Sequence, residues 1–171
     1  MRIWSRLVGA ASSDVPVELV VVIDRESVSM GDDARTHRRE LRVPAGSLVS
    51  DVVERSSPDI RVQGWSWVAV VDGTVVAVWS LDHGVALLAP DRPLTASDPG
   101  GVAQVRFLYL GRLDPAWLNA RLAQGAPLDR EALAAEHAPL ARAVLERERR
   151  EREAETTARL LGPTETGFRQ P

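Results

Sequence analysis

The sequence predicts an α+β fold: a mixed sheet with one crossing helix, followed by C-terminal helices and a flexible tail. Three observations predict it. Trp65–Val71 and Thr74–Ser80 are two apolar runs joined by Asp72-Gly73, a pair that suits the positive-φ positions of a two-residue hairpin turn. Upstream, two shorter runs alternate with strand periodicity and lead into a single helical stripe. After Gly111 the pattern changes to helical spacing and stays there.

Taken in order, residues 1–14 read as a lead-in and residues 15–111 as the domain proper. Val15–Asp24 is a strand, with Val17, Leu19, Val21 and Ile23 on one face and Val20 and Val22 on the other. Glu26–Ala34, with Gly31-Asp32-Asp33, is a turn. Thr36–Val43 is a second, half-exposed strand that pairs with the first as a hairpin. Ser47 is placed as the N-cap of a short helix whose apolar stripe is Leu48, Val49, Val52 and Val53, and Pro58 stops it. In the central hairpin, Val71 is expected opposite Thr74 and Trp67 opposite Val78. That register puts Trp67, Ala69, Val71, Val76 and Val78 on one face and Val68, Val70, Val75, Ala77 and Trp79 on the other. Val85–Ala89 is a further short strand, Asp91–Gly101 a loop and Val102–Leu110 the last strand.

Residues 112–145 form the helical extension. Asp114-Pro115 opens one helix and Gly125 ends it; Asp129 caps another, in which Pro139 predicts a kink or restart. From Glu146 to Glu155 every residue except Ala154 is charged, and residues 146–171 read as a charged helix and a flexible tail.

Composition narrows the chemistry. The chain has 171 residues, a net charge of −3, no cysteine and no lysine, so all 21 basic residues are arginine. Disulfides, thiol catalysis, cysteine zinc sites, a phosphate-loop lysine and Schiff-base chemistry are thereby excluded. The acidic balance argues against nucleic acid as a partner. Met1–Ala11 lacks the apolar run of a signal peptide and no segment has the length of a membrane span, so the expected location is the cytoplasm.

The passage Leu41-Arg42-Val43-Pro44-Ala45-Gly46-Ser47-Leu48-Val49-Ser50-Asp51-Val52-Val53 looks like the strand-to-helix passage of bacterial ubiquitin-like and sulfur-carrier domains. Arg92-Pro93-Leu94, then Phe107 in a final strand, resembles the closing part of such a domain. Residues 15–111 therefore resemble the β-grasp superfamily at the level of pattern. The resemblance implies a docking module or subunit. Carrier members end in an exposed Gly-Gly, whereas here the sequence ends Gln170-Pro171 and the one Gly-Gly, Gly100-Gly101, is internal.

Candidate sites follow from this reading. Arg35, Arg38 and Arg42, with Arg39 nearby, form a basic patch able to hold an acidic partner through paired guanidinium bonds, while Glu40 shares their face and is expected to pair with them. Trp65, Trp67 and Trp79 sit on a ribbon whose two faces are both apolar, and exposed aromatics are the usual anchors of protein docking. The second face is expected to be covered by the Trp117/Leu118/Leu122 and Leu133/Leu140/Val144 helices, or else by a partner or a second copy. Arg147 and Arg150 belong to a helix laced with i,i+4 pairs (Glu146/Arg150, Arg147/Glu151, Glu148/Arg152, Arg149/Glu153). Asp24, Glu26, Asp32 and Asp33 crowd one turn, without the spacing of a calcium loop. His37, His83 and His137 lie on separate elements.

No catalytic residue, cofactor or metal is assigned. The expected function is a non-catalytic ubiquitin-like adaptor or assembly subunit of a bacterial complex, with a protein partner or a second copy, no nucleic acid and no membrane insertion. Two alternatives stand beside it: a small enzyme acting on a phosphorylated or acidic substrate through Asp82, His83 and Arg92, and a carrier precursor processed after Gly101.

Overall fold

A computed structural model of the chain describes residues 18–29, 32, 36–96 and 102–161. The chain divides after Ala126 into two compact units. The first holds a six-stranded mixed sheet and two helices. In chain order its elements are β1 (Glu18–Arg25), β2 (Arg39–Pro44), α1 (Val49–Arg55), β3 (Ser66–Val71), β4 (Thr74–Ser80), β5 (Gly84–Leu87), β6 (Val102–Gly111) and α2 (Pro115–Ala123). The second unit is built on α3 (Arg130–Leu161). The strands run β2-β1-β6-β3-β4-β5 across the sheet. β1 and β6 are parallel; every other neighbouring pair is antiparallel.

β1 forms because Leu19, Val21 and Ile23 supply one continuous inward face, and all three are buried. Its predicted start at Val15 lies outside the described residues. β2 begins at Arg39 rather than Thr36 and reaches Pro44. The Asp72-Gly73 turn has positive φ at both residues (47° and 81°), as the hairpin requires.

The register of that hairpin corrects the sequence expectation. Val71 does face Thr74 and Val70 faces Val75, but a bulge then skips Val76, so Ala69 pairs with Ala77 and Trp67 with Trp79. One extra residue turns the rest of β4 over. Trp67 and Trp79 therefore share a face instead of opposing each other, and both are fully buried in the main core.

That core lies between one sheet face and α1. Val49, Val52 and Val53 of α1 pack with Val21, Ile23, Trp67, Ala69, Trp79, Val105 and Phe107. The helix is only seven residues long, too short to hold itself, so its N-terminus is fixed from elsewhere. Ser47 is not the cap: its hydroxyl donates to the Pro44 carbonyl (2.7 Å), and Leu48 occupies the cap position without a side-chain bond. Asp91 takes over that role. Its carboxylate accepts from the backbone N–H and the hydroxyl of Ser50, while Val49 N–H donates to the Arg92 carbonyl (3.0 Å).

On the opposite face α2 lies across β4 and β5. Asp114 caps α2 by accepting from Trp117 N–H (2.7 Å), with Pro115 opening the first turn. Leu118 is fully buried, as are Val68 and Val78 on the facing strands, and Asn119 donates to the β5 carbonyls of Ala86 (2.8 Å) and Leu87 (3.3 Å). Cover by the Trp117/Leu118/Leu122 helix is thus observed. Of the α3 residues expected to share in it, Leu133 is buried, whereas Leu140 and Val144 are 49% and 46% exposed. Pro139 does not restart α3, which runs unbroken from Arg130 to Leu161. The carbonyl that Pro139 leaves without its helical donor belongs to Ala135, which is exposed and so open to solvent.

Trp67→Ala is expected to lower unfolding stability by about 3–5 kcal/mol in urea titration, because it removes the largest kind of side chain from a fully buried core position. Leu145→Ala, at a position 61% exposed, is expected to change it by about 0.5 kcal/mol or less.

Candidate functional site

A cleft of about 600 Å³ opens at the C-terminal end of β1, beside the middle of β6, bounded by Asp32, by residues 36–38 ahead of β2 and by the loop after α1. Ile23 and Arg25 come from β1, Phe107 from β6, and Asp32, Thr36, His37, Arg38 and Arg39 from the β1–β2 connection and the start of β2. Ser56, Pro58 and Asp59 come from the loop.

Arg25 organises the site. Alternation along β1 puts residues 19, 21, 23 and 25 on the inward face, so a charged residue follows three apolar ones into the interior. Its side chain is only 7% exposed. A buried guanidinium is stable only when paired and hydrogen-bonded. Asp32 meets it as a two-oxygen fork (Nη1–Oδ2 2.6 Å, Nη2–Oδ1 3.0 Å), Asp59 accepts from Nε (2.7 Å), and the Glu26 carbonyl accepts from Nη1 (3.1 Å). Asp32 also accepts from Val28 N–H (3.1 Å).

The charges respond accordingly. The hydrogen bonds from Arg25 hold the Asp32 carboxyl at about 2, with help from the Val28 amide and the guanidinium charge. Burial pushes Asp59 up, but the bond and charge of Arg25 outweigh it and leave the carboxyl below its ordinary value. Arg25 itself is raised, first by its bond to Asp32. At α1, the Ser50 hydroxyl holds Asp91 below the usual carboxylate range.

His37 stands beside this cluster. Its Nε2 lies 3.3 Å from Ser27 Oγ and 3.5 Å from Asp32 Oδ1. Ser, His and Asp therefore meet, but both partners converge on one ring nitrogen. A nucleophile relay needs the carboxylate on one nitrogen and the hydroxyl on the other, so this contact orders the corner without linking a base to a nucleophile. Arg39 donates to the carbonyls of Ser56 (2.9 Å) and Ser57 (3.1 Å), tying β2 to the C-terminal end of α1.

The residues singled out from sequence disperse. Arg38 lines the cleft; Arg35 lies outside the described residues. Arg42 sits 3.6 Å from Glu18 on the exposed sheet surface. Glu40, expected to neutralise the arginines of its strand, makes no ion pair among the described residues. Trp67 and Trp79 are buried by their own chain and offer no surface, a consequence of the Val76 bulge. Trp65 is partly buried against Tyr109 (ring centroids 4.7 Å apart). On α3, Arg147 pairs with Glu151, Arg149 with Glu153 and Glu148 with Arg152, while Arg150 is exposed and the Glu146/Arg150 pair is not among the ion pairs described.

Of the acidic turn, Asp32 is on Arg25 and Glu26 accepts from Tyr109 N–H (3.1 Å); Asp33 lies outside the described residues. Among the described residues no three His, Asp or Glu side chains converge as metal ligands. Asp82, His83 and Arg92 are exposed and none lines the cleft; Asp82 accepts from Gly64 N–H (2.6 Å). Arg25 and Asp59 were not among the residues that sequence reasoning singled out.

No protein-family model matches the chain, and no curated protein or solved structure matches it either. Among the described residues no helix is long and apolar enough to cross a membrane.

The folded pKa of Asp32 lies below its ordinary value of 3.8. Its contribution is therefore fully present above about pH 4 and is lost as pH falls toward about 2. Urea midpoints of the native chain are expected to drop across that window. Asp32→Asn is expected to start from a lower midpoint at pH 6 and to fall less steeply; a slope equal to that of the native chain would refute the assignment.

Proposed function

We propose that the chain is a non-catalytic docking module, an adaptor or assembly subunit of a bacterial protein complex acting in the cytoplasm. The observation that carries this reading is the state of the cleft. Its carboxylates are ionised and occupied by Arg25, and its one histidine is engaged by hydroxyl and carboxylate at the same nitrogen. A general acid or base needs a pKa near working pH and a free path to the substrate proton. Asp32, held at about 2, has neither.

A β-grasp-like identity for the sheet is part of the proposal. It is supported by the strand order β2-β1-β6-β3-β4-β5, with first and last strands parallel at the centre and a helix between the second and third. On this reading β5 is an added edge strand and α2 an added cover. Docking modules of this kind do not need the carboxylate activation of carriers. Gly100-Gly101, on which the carrier alternative rests, lies outside the described residues. The enzymatic alternative draws no support from Asp82, His83 and Arg92, which stand apart from the cleft.

The second docking element is α3. At 32 residues it is about 48 Å long, and its exposed side chains include Leu140, Val144 and Leu145 followed by the Arg/Glu segment. The ion pairs Arg147–Glu151, Arg149–Glu153 and Glu148–Arg152 are internal to the helix and exposed, worth at most a few tenths of a kcal/mol each. They keep the helix soluble and leave its apolar patch as the candidate contact. Affinity capture with the full chain and with a chain ending at Leu145 checks the role of the charged segment. The expected result is loss of the main partner on truncation; unchanged capture would move docking to the sheet unit.

A further inference from the structure

From the free valences of the cleft we infer that it receives an extended acidic segment of a partner protein, with a carboxylate seated on Arg38; this rests on the docking reading above. A site's preference follows from the polar groups left over after it has satisfied itself. Arg25 spends four of its five N–H donors on Asp32, Asp59 and Glu26, and its side chain is only 7% exposed, so it has little left for a ligand. Arg39 spends two of its five N–H donors on the Ser56 and Ser57 carbonyls and keeps the rest. The Arg38 guanidinium makes no hydrogen bond or ion pair among the described residues, and its side chain stands exposed on the cleft wall. Three arginines against Asp32 and Asp59 leave the lining one charge positive, in a chain whose net charge is −3. What the cleft still offers is mainly guanidinium N–H, whose fork matches a carboxylate.

The form of the occupant follows from size and position. At about 600 Å³ the cleft is far larger than one carboxylate group. A nucleotide would want a ring to stack on; of the two rings in the lining, Phe107 is wholly buried and the His37 side chain is only 12% exposed. Arg38 immediately precedes β2, the outermost strand on that side of the sheet, whose outer edge is unpaired among the described residues. An extended peptide can add along such an edge, taking main-chain hydrogen bonds from the strand and specificity from alternate side chains. Pro44, which has no N–H, closes the edge at its far end. The usable edge is thus short and starts at the arginine, which puts the acidic side chain at one end of the docked segment.

Fluorescence anisotropy with the full chain tests this, using labelled hexaglutamate, hexaglutamine as its neutral counterpart and inorganic phosphate as competitor. Hexaglutamate is expected to bind and hexaglutamine not to. Arg38→Ala is expected to weaken binding by about tenfold or more, and Arg112→Ala, which removes an exposed cation that lies off β2 and outside the cleft, by about twofold or less. Equal losses in the two variants would mean diffuse charge attraction and overturn the assignment. So would equal binding of the two peptides, or a site that takes phosphate and ignores hexaglutamate. Both substitutions are at exposed positions, and matching urea midpoints verify that they fold. Failure here with partner capture by the full chain intact would sink the acidic-segment assignment while leaving the docking reading standing.

Discussion

A buried arginine has to be answered, and the answer given to Arg25 shapes this molecule. Its position is dictated by the pleat of β1, which sends every second side chain inward, and the run Leu19, Val21, Ile23 commits residue 25 to the same side. Two carboxylates and a carbonyl come to it from three separate stretches: the strand's own continuation, the turn at Asp32 and the loop after α1. The guanidinium is thus a fastener between sheet and loop. The ion pairs to Asp32 and Asp59 order the corner of the cleft around it.

The rest of the sheet unit solves a different problem, that of a ribbon apolar on both faces. α1 covers one face and α2 the other, and each helix is pinned by polar contacts from outside its own segment. Seven residues of helix would not persist alone; Asp91 and the Arg92 carbonyl hold its first turn in place. The tryptophans serve this architecture. Trp67 and Trp79, paired across the hairpin, fill the space beneath α1.

Much of this was legible in the residues. Alternation located β1, Asp72-Gly73 fixed the hairpin turn, and Asp114-Pro115 marked the start of α2, because each is a local rule acting on neighbouring residues. The α+β class and the covering role of α2 followed from the same patterns. What escaped was non-local or silent. The bulge at Val76 left no trace, since valines and an alanine on either side satisfy both registers equally. The helix cap came from Asp91, 41 residues beyond Ser50, so the nearer Ser47 looked sufficient. Arg25 was the readable omission: its parity marks it as inward-facing, and an inward arginine implies acidic partners even when, as with Asp59, 34 residues intervene. The basic patch was read as one surface, whereas Arg38, Arg39 and Arg42 turn to three different tasks.

The claim that one ion cluster fastens the site is tested most directly by a double-mutant cycle on Arg25→Met and Asp32→Asn, with stability read from urea unfolding at neutral pH. If the two side chains act as a single device, removing the second adds little to the loss caused by removing the first, so the double variant matches the Arg25→Met variant within error. Losses that simply sum would show that the two residues act independently and that Arg25 is not the fastener.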